Sequence, residues 1–442
     1  MKKFISIFDK KFYFICFAAL SCISLFNAAS LAGIWSDGVY WLCEFFDKNI
    51  HLDHGRLFTH IILHMPDFLL KSLSVTNLNM LVFLHGFWAY LSNVICLAAA
   101  YKVLPSEKKE WFVFPLLSYL ICMIFSSYYI FNDSHLAAGL FWIIFSIYFF
   151  ADFTKLSNTD LTILLTACFI FIRTYQSTLF FVPLLLTTGT IKFFKAKKDL
   201  SSNTSFLLLL SFALLAASFI FGFYYTANPT QYKLSEYTNS FNALSSMHFT
   251  LFFWLFILTM MKKEIYAEIT VFCLFAYVMF SFVVKSNLIV IYANNMRILN
   301  LLVPLFSALF LVYLKSSTIK INFKKFKAVI FLLLIVFTAN SFLFSAKINT
   351  YFKIMADYLK TVSGTVKVQD FTAYLPEKYK FLTKIDENSL FEQSIIVQIL
   401  YNKSGTVDSV ILADAASLEN YRIDRYENII NKLNKNSNIK LR

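Results

Sequence analysis

With 442 residues, of which 58% are hydrophobic and 19% aromatic against 15% charged, the chain falls outside the range of soluble proteins and within that of polytopic membrane proteins. A formal net charge of +14 would suit a nucleic-acid binder, but the lysines cluster at the ends of apolar runs, where they orient spans, and no basic reader motif is present. Six of the seven cysteines (Cys16, Cys22, Cys96, Cys122, Cys168 and Cys273) lie in apolar runs and Cys43 is alone in a loop, which excludes a disulfide framework and a thiolate metal centre.

Lys2, Lys3, Lys10 and Lys11 precede an apolar run over 12–34, long enough to cross a bilayer. Small residues at 27–30 also fit a cleavage site, but we read an uncleaved first span. Further runs cover 78–100, 111–131, 136–151, 161–172, 178–191, 205–225, 247–261, 267–284, 298–314 and 328–346, about eleven spans in all. The expected fold is thus an all-α polytopic membrane protein, with a transmembrane domain over 1–346.

The first loop, 35–77, concentrates carboxylates, histidines and an arginine. If Asp37 caps a helix, Tyr40, Glu44 and Asp47 follow at spacings of three and four and share its face, opposite Val39, Leu42 and Phe46. That stripe (Asp37, Glu44, Asp47) is the leading candidate for catalysis; the plainer reading is a solvated face of an interfacial helix. A second cluster holds His51, Asp53, His54, Arg56, His60 and His64, with Asp67 just beyond Pro66. Its His-x-x-x-His pair would tolerate a divalent metal. However, no H-E-x-x-H is present and such pairs are more often structural, so no metal ligand and no required cofactor are assigned.

The runs 161–172 and 178–191 are short, reaching roughly 18 and 21 Å against a hydrocarbon core near 30 Å. They form either one kinked helix or a hairpin with a sunken tip at Arg173-Thr-Tyr-Gln-Ser177. Charge selects the hairpin, because it alone keeps the N-terminal lysines on the same side as the clusters near 102–109, 192–198, 262–263 and 315–327. The N-terminus is then inside and the C-terminus outside. Arg173, at membrane depth, should face a cavity and pair with an acid or bind an anion. Arg297 and Lys285 bracket another outer loop, at the depth of a lipid phosphate. Asp133 and His135, in the tight tip Asn-Asp-Ser-His, are the second polar element expected at the same site, with Arg56 and Tyr175 as further substrate-binding candidates.

The tail, 347–442, is a separate compartment in composition and is expected to fold as a small α/β extracytoplasmic domain. Strand-like runs lie at 394–400 and 409–412 and a helical pattern at 415–433. Walker loops, dinucleotide fingerprints and serine-hydrolase elbows are absent, which argues against a nucleotide-driven pump and a serine hydrolase.

A lysine-tipped first span, an acidic first outer loop (Trp35-Ser-Asp-Gly38), a short second tip (Asn132-Asp-Ser-His135), about eleven spans and an outer tail together resemble the GT-C superfamily of membrane glycosyltransferases. Within it, the chain is similar to bacterial O-antigen glucosyltransferases of serotype conversion and to membrane proteins carrying a tract like Arg173-Thr-Tyr-Gln-Ser177. The resemblance implies a bacterial inner-membrane enzyme with a cytoplasmic N-terminus and a periplasmic C-terminus. It implies a polyprenyl-phosphate sugar donor, with glucose as the example, and a polysaccharide or lipid-linked acceptor such as O-antigen. A donor-lipid synthase, a flippase and membrane lipids are the implied partners, and nucleic acid is not one. An acid of the first loop would act as base or metal ligand; with no D-x-D pair here, metal dependence and the choice among Asp37, Glu44 and Asp47 stay open. A transporter or flippase of a lipid-linked saccharide, or an O-antigen polymerase or ligase, is the alternative.

Overall fold

The computed structural model describes residues 2–32, 42, 57–73, 78–126, 133–227, 293–316, 321–385, 390–401 and 409–412. In chain order the helices are α1 (Lys2–Ala29), α2 (Leu57–Leu63), α3 (Met65–Ser72), α4 (Leu78–Lys102), α5 (Val113–Ser126) and α6 (Asp133–Phe150). They continue with α7 (Asn158–Phe171), α8 (Val182–Ala196), α9 (Ser202–Ala227), α10 (Ala293–Ser316) and α11 (Phe323–Leu359). The tail adds β1 (Gly364–Lys367), α12 (Val368–Tyr374), α13 (Glu377–Ile385), α14 (Leu390–Tyr401) and β2 (Ser409–Leu412).

Among the described residues, five stretches are long and apolar enough to cross a membrane: Lys11–Ala29, Leu78–Lys102, Thr178–Asp199, Ser202–Tyr224 and Phe323–Leu359. Shorter apolar helices, Ser134–Phe150, Asn158–Phe171 and Asn300–Lys315, lie among them. On α9, Phe206, Ile220 and Phe223 are 62%, 68% and 61% exposed, a face suited to lipid and poorly suited to water. The protein is a helical membrane protein. Of the eleven expected spans, 247–261 and 267–284 lie outside the described residues.

Lysines gather at one end of the bundle. Lys192 on α8 and Lys315 on α10 both donate to the Phe149 carbonyl at the end of α6, at 3.2 and 3.3 Å. Lys327, at the start of α11, pairs with Glu110 at 3.0 Å, and the Tyr13 hydroxyl of α1 donates to the Glu110 carbonyl at 3.1 Å. Lys109 donates to the carbonyl of Tyr101 near the end of α4. The first half of α1 and the start of α11 thus meet the ends of α4, α6, α8 and α10.

That convergence resolves the pair 161–172 and 178–191, of which the first stays short and the second, continuing through its lysines as Thr178–Asp199, is long enough to cross. The 3-10 turn Phe153–Lys155 links the end of α6 to the start of α7 within a few residues, so α7 leaves from the lysine end. The chain turns at 172–175, passes through a 3-10 segment, Gln176–Phe180, and returns as α8 to Lys192. The hairpin is the arrangement found. A capping box starts α7, with the Ser157 hydroxyl and the Asp160 carboxylate each taking the other's backbone N–H.

Helix packing relies on small residues where backbones approach. A Cβ on Gly139 of α6 would sit 2.7 Å from the Cβ of Cys96 on α4, so only glycine allows these two helices their spacing. Buried polar pairs cross the bundle as well: Ser345 donates to Asn27 at 2.9 Å, and Tyr148 and Ser211 share a 2.7 Å hydrogen bond.

The last helix does not stop with its apolar run at 346 but continues to Leu359, and the tail packs on the continuation. Tyr358 stacks near Phe371 and Tyr374, and the Tyr401 hydroxyl donates to Asn349 at 3.1 Å. β1 and β2 pair in parallel, Gly364 opposite Ser409, joined by a crossover through α12, α13 and α14. The strand expected at 409–412 is β2, but the run 394–400 is helical and lies within α14. Its two polar residues, Ser394 and Gln398, stand four apart at helical spacing but are buried with the β-branched Ile395, Ile396, Val397 and Ile399, whose strand preference dominates a reading from composition. The helical pattern at 415–433 lies outside the described residues.

Candidate functional site

The polar groups of the end opposite the lysines are organised by α2 and α3. His64 joins these two short helices, accepting no break in direction at first: its N–H bonds to the His60 carbonyl at 3.0 Å, and the Phe68 N–H bonds to the His64 carbonyl at 3.1 Å. Pro66 has no N–H to give the carbonyl of Ile62, four residues back. Trp88 of α4 supplies the missing donor, its Nε1 lying 2.6 Å from the Ile62 oxygen. The junction of the two helices is thereby fixed against α4.

The same face of α4, three residues before Trp88, carries His85. The Nδ1 atoms of His85 and His64 lie 2.7 and 2.9 Å from one oxygen of Asp67, Oδ2. All three side chains are buried: Asp67 and His85 at 0% exposure and His64 at 6%. Burial alone would raise the Asp67 pKa, but attraction to His85 and hydrogen bonds with both imidazoles outweigh it, so the carboxyl is held below the usual range. The His60 ring lies edge-on to that of His64, with centroids 6.3 Å apart, and extends the polar cluster toward α2. On α4, His85 is 17 residues from Lys102, about 26 Å along the helix, so the cluster belongs to the lysine-poor end.

Next to it lies the tip of the α7–α8 hairpin. The Thr59 hydroxyl donates to the Thr174 carbonyl at 2.8 Å, the Phe58 N–H donates to the Arg173 carbonyl at 3.2 Å, and the Phe58 and Phe169 rings are 4.8 Å apart. Thr59 and Thr174 are both fully buried. Ser218 of α9 donates to the Phe171 carbonyl at 3.2 Å, and α9 runs nine residues further to Ala227, roughly 14 Å, so the tip stops short of the end of that helix. Arg173 is half-buried, with its guanidinium 4.9 Å above the Phe221 ring. Its Nε is buried with no hydrogen-bond partner, and among the described residues no carboxylate lies within ion-pair distance of it. Tyr175 follows in extended conformation and its carbonyl closes the next turn by accepting from Thr178.

A second junction forms where α6 and α10 begin. Asn300 of α10 donates to Ser134 of α6 at 2.9 Å, and both are buried with the neighbouring His135. Asp133 opens α6, and Arg297 lies one turn before Asn300 on α10. α10 also packs on the Gln176–Phe180 turn that follows Arg173. The start of α6 and the turn after Arg173 thus both pack on α10. Asp37, Glu44, Asp47, Arg56 and Lys285 lie outside the described residues.

The residue that sequence reasoning missed is His85. It sits inside an otherwise apolar span, and an ionisable side chain in that setting is itself a signal of function. Spacing along the chain did not connect it to His64 and Asp67, because the packing of α3 on α4 makes that connection. Comparison with protein-family models, with curated proteins and with solved structures yields no match.

Proposed function

We propose that this protein is a glycosyltransferase of the bacterial inner membrane, moving a sugar from a polyprenyl-phosphate donor to a surface polysaccharide on the outer, lysine-poor face. The observation that carries this reading is the clasp of α2 on the Arg173 tip through Thr59 and Phe58. α2 belongs to the same first loop, 35–77, as Asp37, Glu44 and Asp47, and the arginine it meets has no carboxylate partner among the described residues. Such an arginine suits a lipid phosphate, whose oxygens match its fork. A first-loop carboxylate deprotonates the acceptor hydroxyl, which attacks the anomeric carbon; the glycosidic bond to phosphate breaks as the new one forms, with inversion. Arg173 and Arg297 take up the negative charge that develops on the departing phosphate.

The test is to compare surface polysaccharide by mass spectrometry from cells lacking the gene, complemented with wild type or with Asp37→Asn. Loss of one sugar without the gene, restored by wild type but reduced a hundredfold or more by Asp37→Asn, is expected. If Asp37→Asn is active and Glu44→Gln is not, the base lies further along the stripe. If all three amides are fully active, the stripe is a solvated face and a transporter of lipid-linked saccharide becomes the better reading.

A further inference from the structure

We propose that His64, Asp67 and His85 form a binding site for a first-row divalent transition ion, zinc foremost, that pins the α2–α3 pair to α4. The site stands apart from glycosyl transfer, since it needs only the fold.

Three ligand atoms, one from each side chain, lie within 4.8 Å of one another. The two Nδ1 atoms converge on a single carboxylate oxygen, while the other, Asp67 Oδ1, is buried with no hydrogen-bond partner. A triad serving only as a hydrogen-bond network gains most by spreading two donors over two oxygens; crowding them at one leaves a buried acceptor unsatisfied. The crowding suits an ion instead, which draws both imidazoles and the carboxylate toward one point. Two imidazoles and one carboxylate are borderline ligands that favour zinc or ferrous iron over magnesium or calcium, which prefer oxygen throughout. The ligands come from two segments: His64 and Asp67 flank Pro66, and His85 projects from α4, where Trp88 one turn on already secures Ile62. An ion would fasten the same joint a second time and so hold α2 against the hairpin tip.

The full-length protein in detergent, stripped with a chelator and dialysed, is reloaded with zinc, ferrous iron or cobalt and its metal content measured. One zinc per chain is expected, with the visible absorption of four-coordinate cobalt in the cobalt form. His85→Gln and Asp67→Asn should weaken zinc binding roughly a hundredfold or more, since loss of a ligand costs at least as much as loss of the residue behind it. Preference for ferrous iron over zinc would support the site and change its ion. No tight binding of any of the three by wild type, or undiminished binding by both variants, overturns the proposal. Should the variants fail to fold, X-ray absorption of the zinc-loaded wild type decides: two imidazoles in the inner shell support the site, and none or a sulfur shell overturns it. Neither readout depends on transferase activity.

Discussion

The indole N–H of Trp88 occupies the carbonyl of Ile62, the acceptor that Pro66 leaves without its helical donor, at 2.6 Å. The two residues make a matched pair, one removing a hydrogen bond and the other replacing it. Trp88→Phe should therefore lower stability by about 1 to 3 kcal/mol, seen as an earlier thermal transition in detergent. Adding Pro66→Ala should recover much of that loss, because residue 66 would again donate to Ile62. Equal melting of wild type and Trp88→Phe, or no recovery in the double variant, would show that the pairing has no energetic role.

Arg173 offers a second prediction. Arg173→Lys keeps the charge and loses the planar fork, so transfer should fall while folded protein still accumulates in the membrane. Arg173→Ala should fall further. A fully active alanine variant would remove the proposed phosphate contact.

Sidedness can be tested where the chain is exposed. Lys197, beyond α8 at the lysine end, and Lys353, on the continuation of α11, are both exposed. Cysteines placed there should react differently with a membrane-impermeant reagent on intact spheroplasts: position 353 labelled, position 197 protected. The reverse pattern would invert the topology.

Close packing gives the fourth prediction. Any side chain at position 139 drives a Cβ into that of Cys96 at 2.7 Å, and neither backbone can yield cheaply. Gly139→Ala should cost roughly 1 to 3 kcal/mol and reduce the yield of monodisperse protein. Unchanged yield and melting would mean that α4 and α6 separate more readily than their contact implies.

Much of the bundle was legible because its determinants are local. Apolar runs give the spans, and the lysines at their ends, which turn out to meet at Phe149 and Glu110, gave the hairpin at Arg173. The tail was less legible, since the β-branched run in 394–400 outweighed the helical spacing of its two buried polar residues, Ser394 and Gln398. The extent of α11 was hidden too: beyond 346 the helix is held by tail contacts such as Tyr358 with Phe371, which hydropathy does not register. His85 was invisible as a partner of Asp67 because the juxtaposition depends on how α3 packs on α4, which no spacing along the chain reports.

That last helix has a mechanical consequence. Thirty-seven residues make a rod about 55 Å long, while the hydrocarbon core accounts for about 30 Å. Its root is bolted by the Lys327–Glu110 pair, and the tail is fastened to its far part through Asn349 and Tyr358. A continuous rod has no swivel. The described part of the tail is thereby coupled to the bundle through α11, along which a load on it would pass to the lysine end.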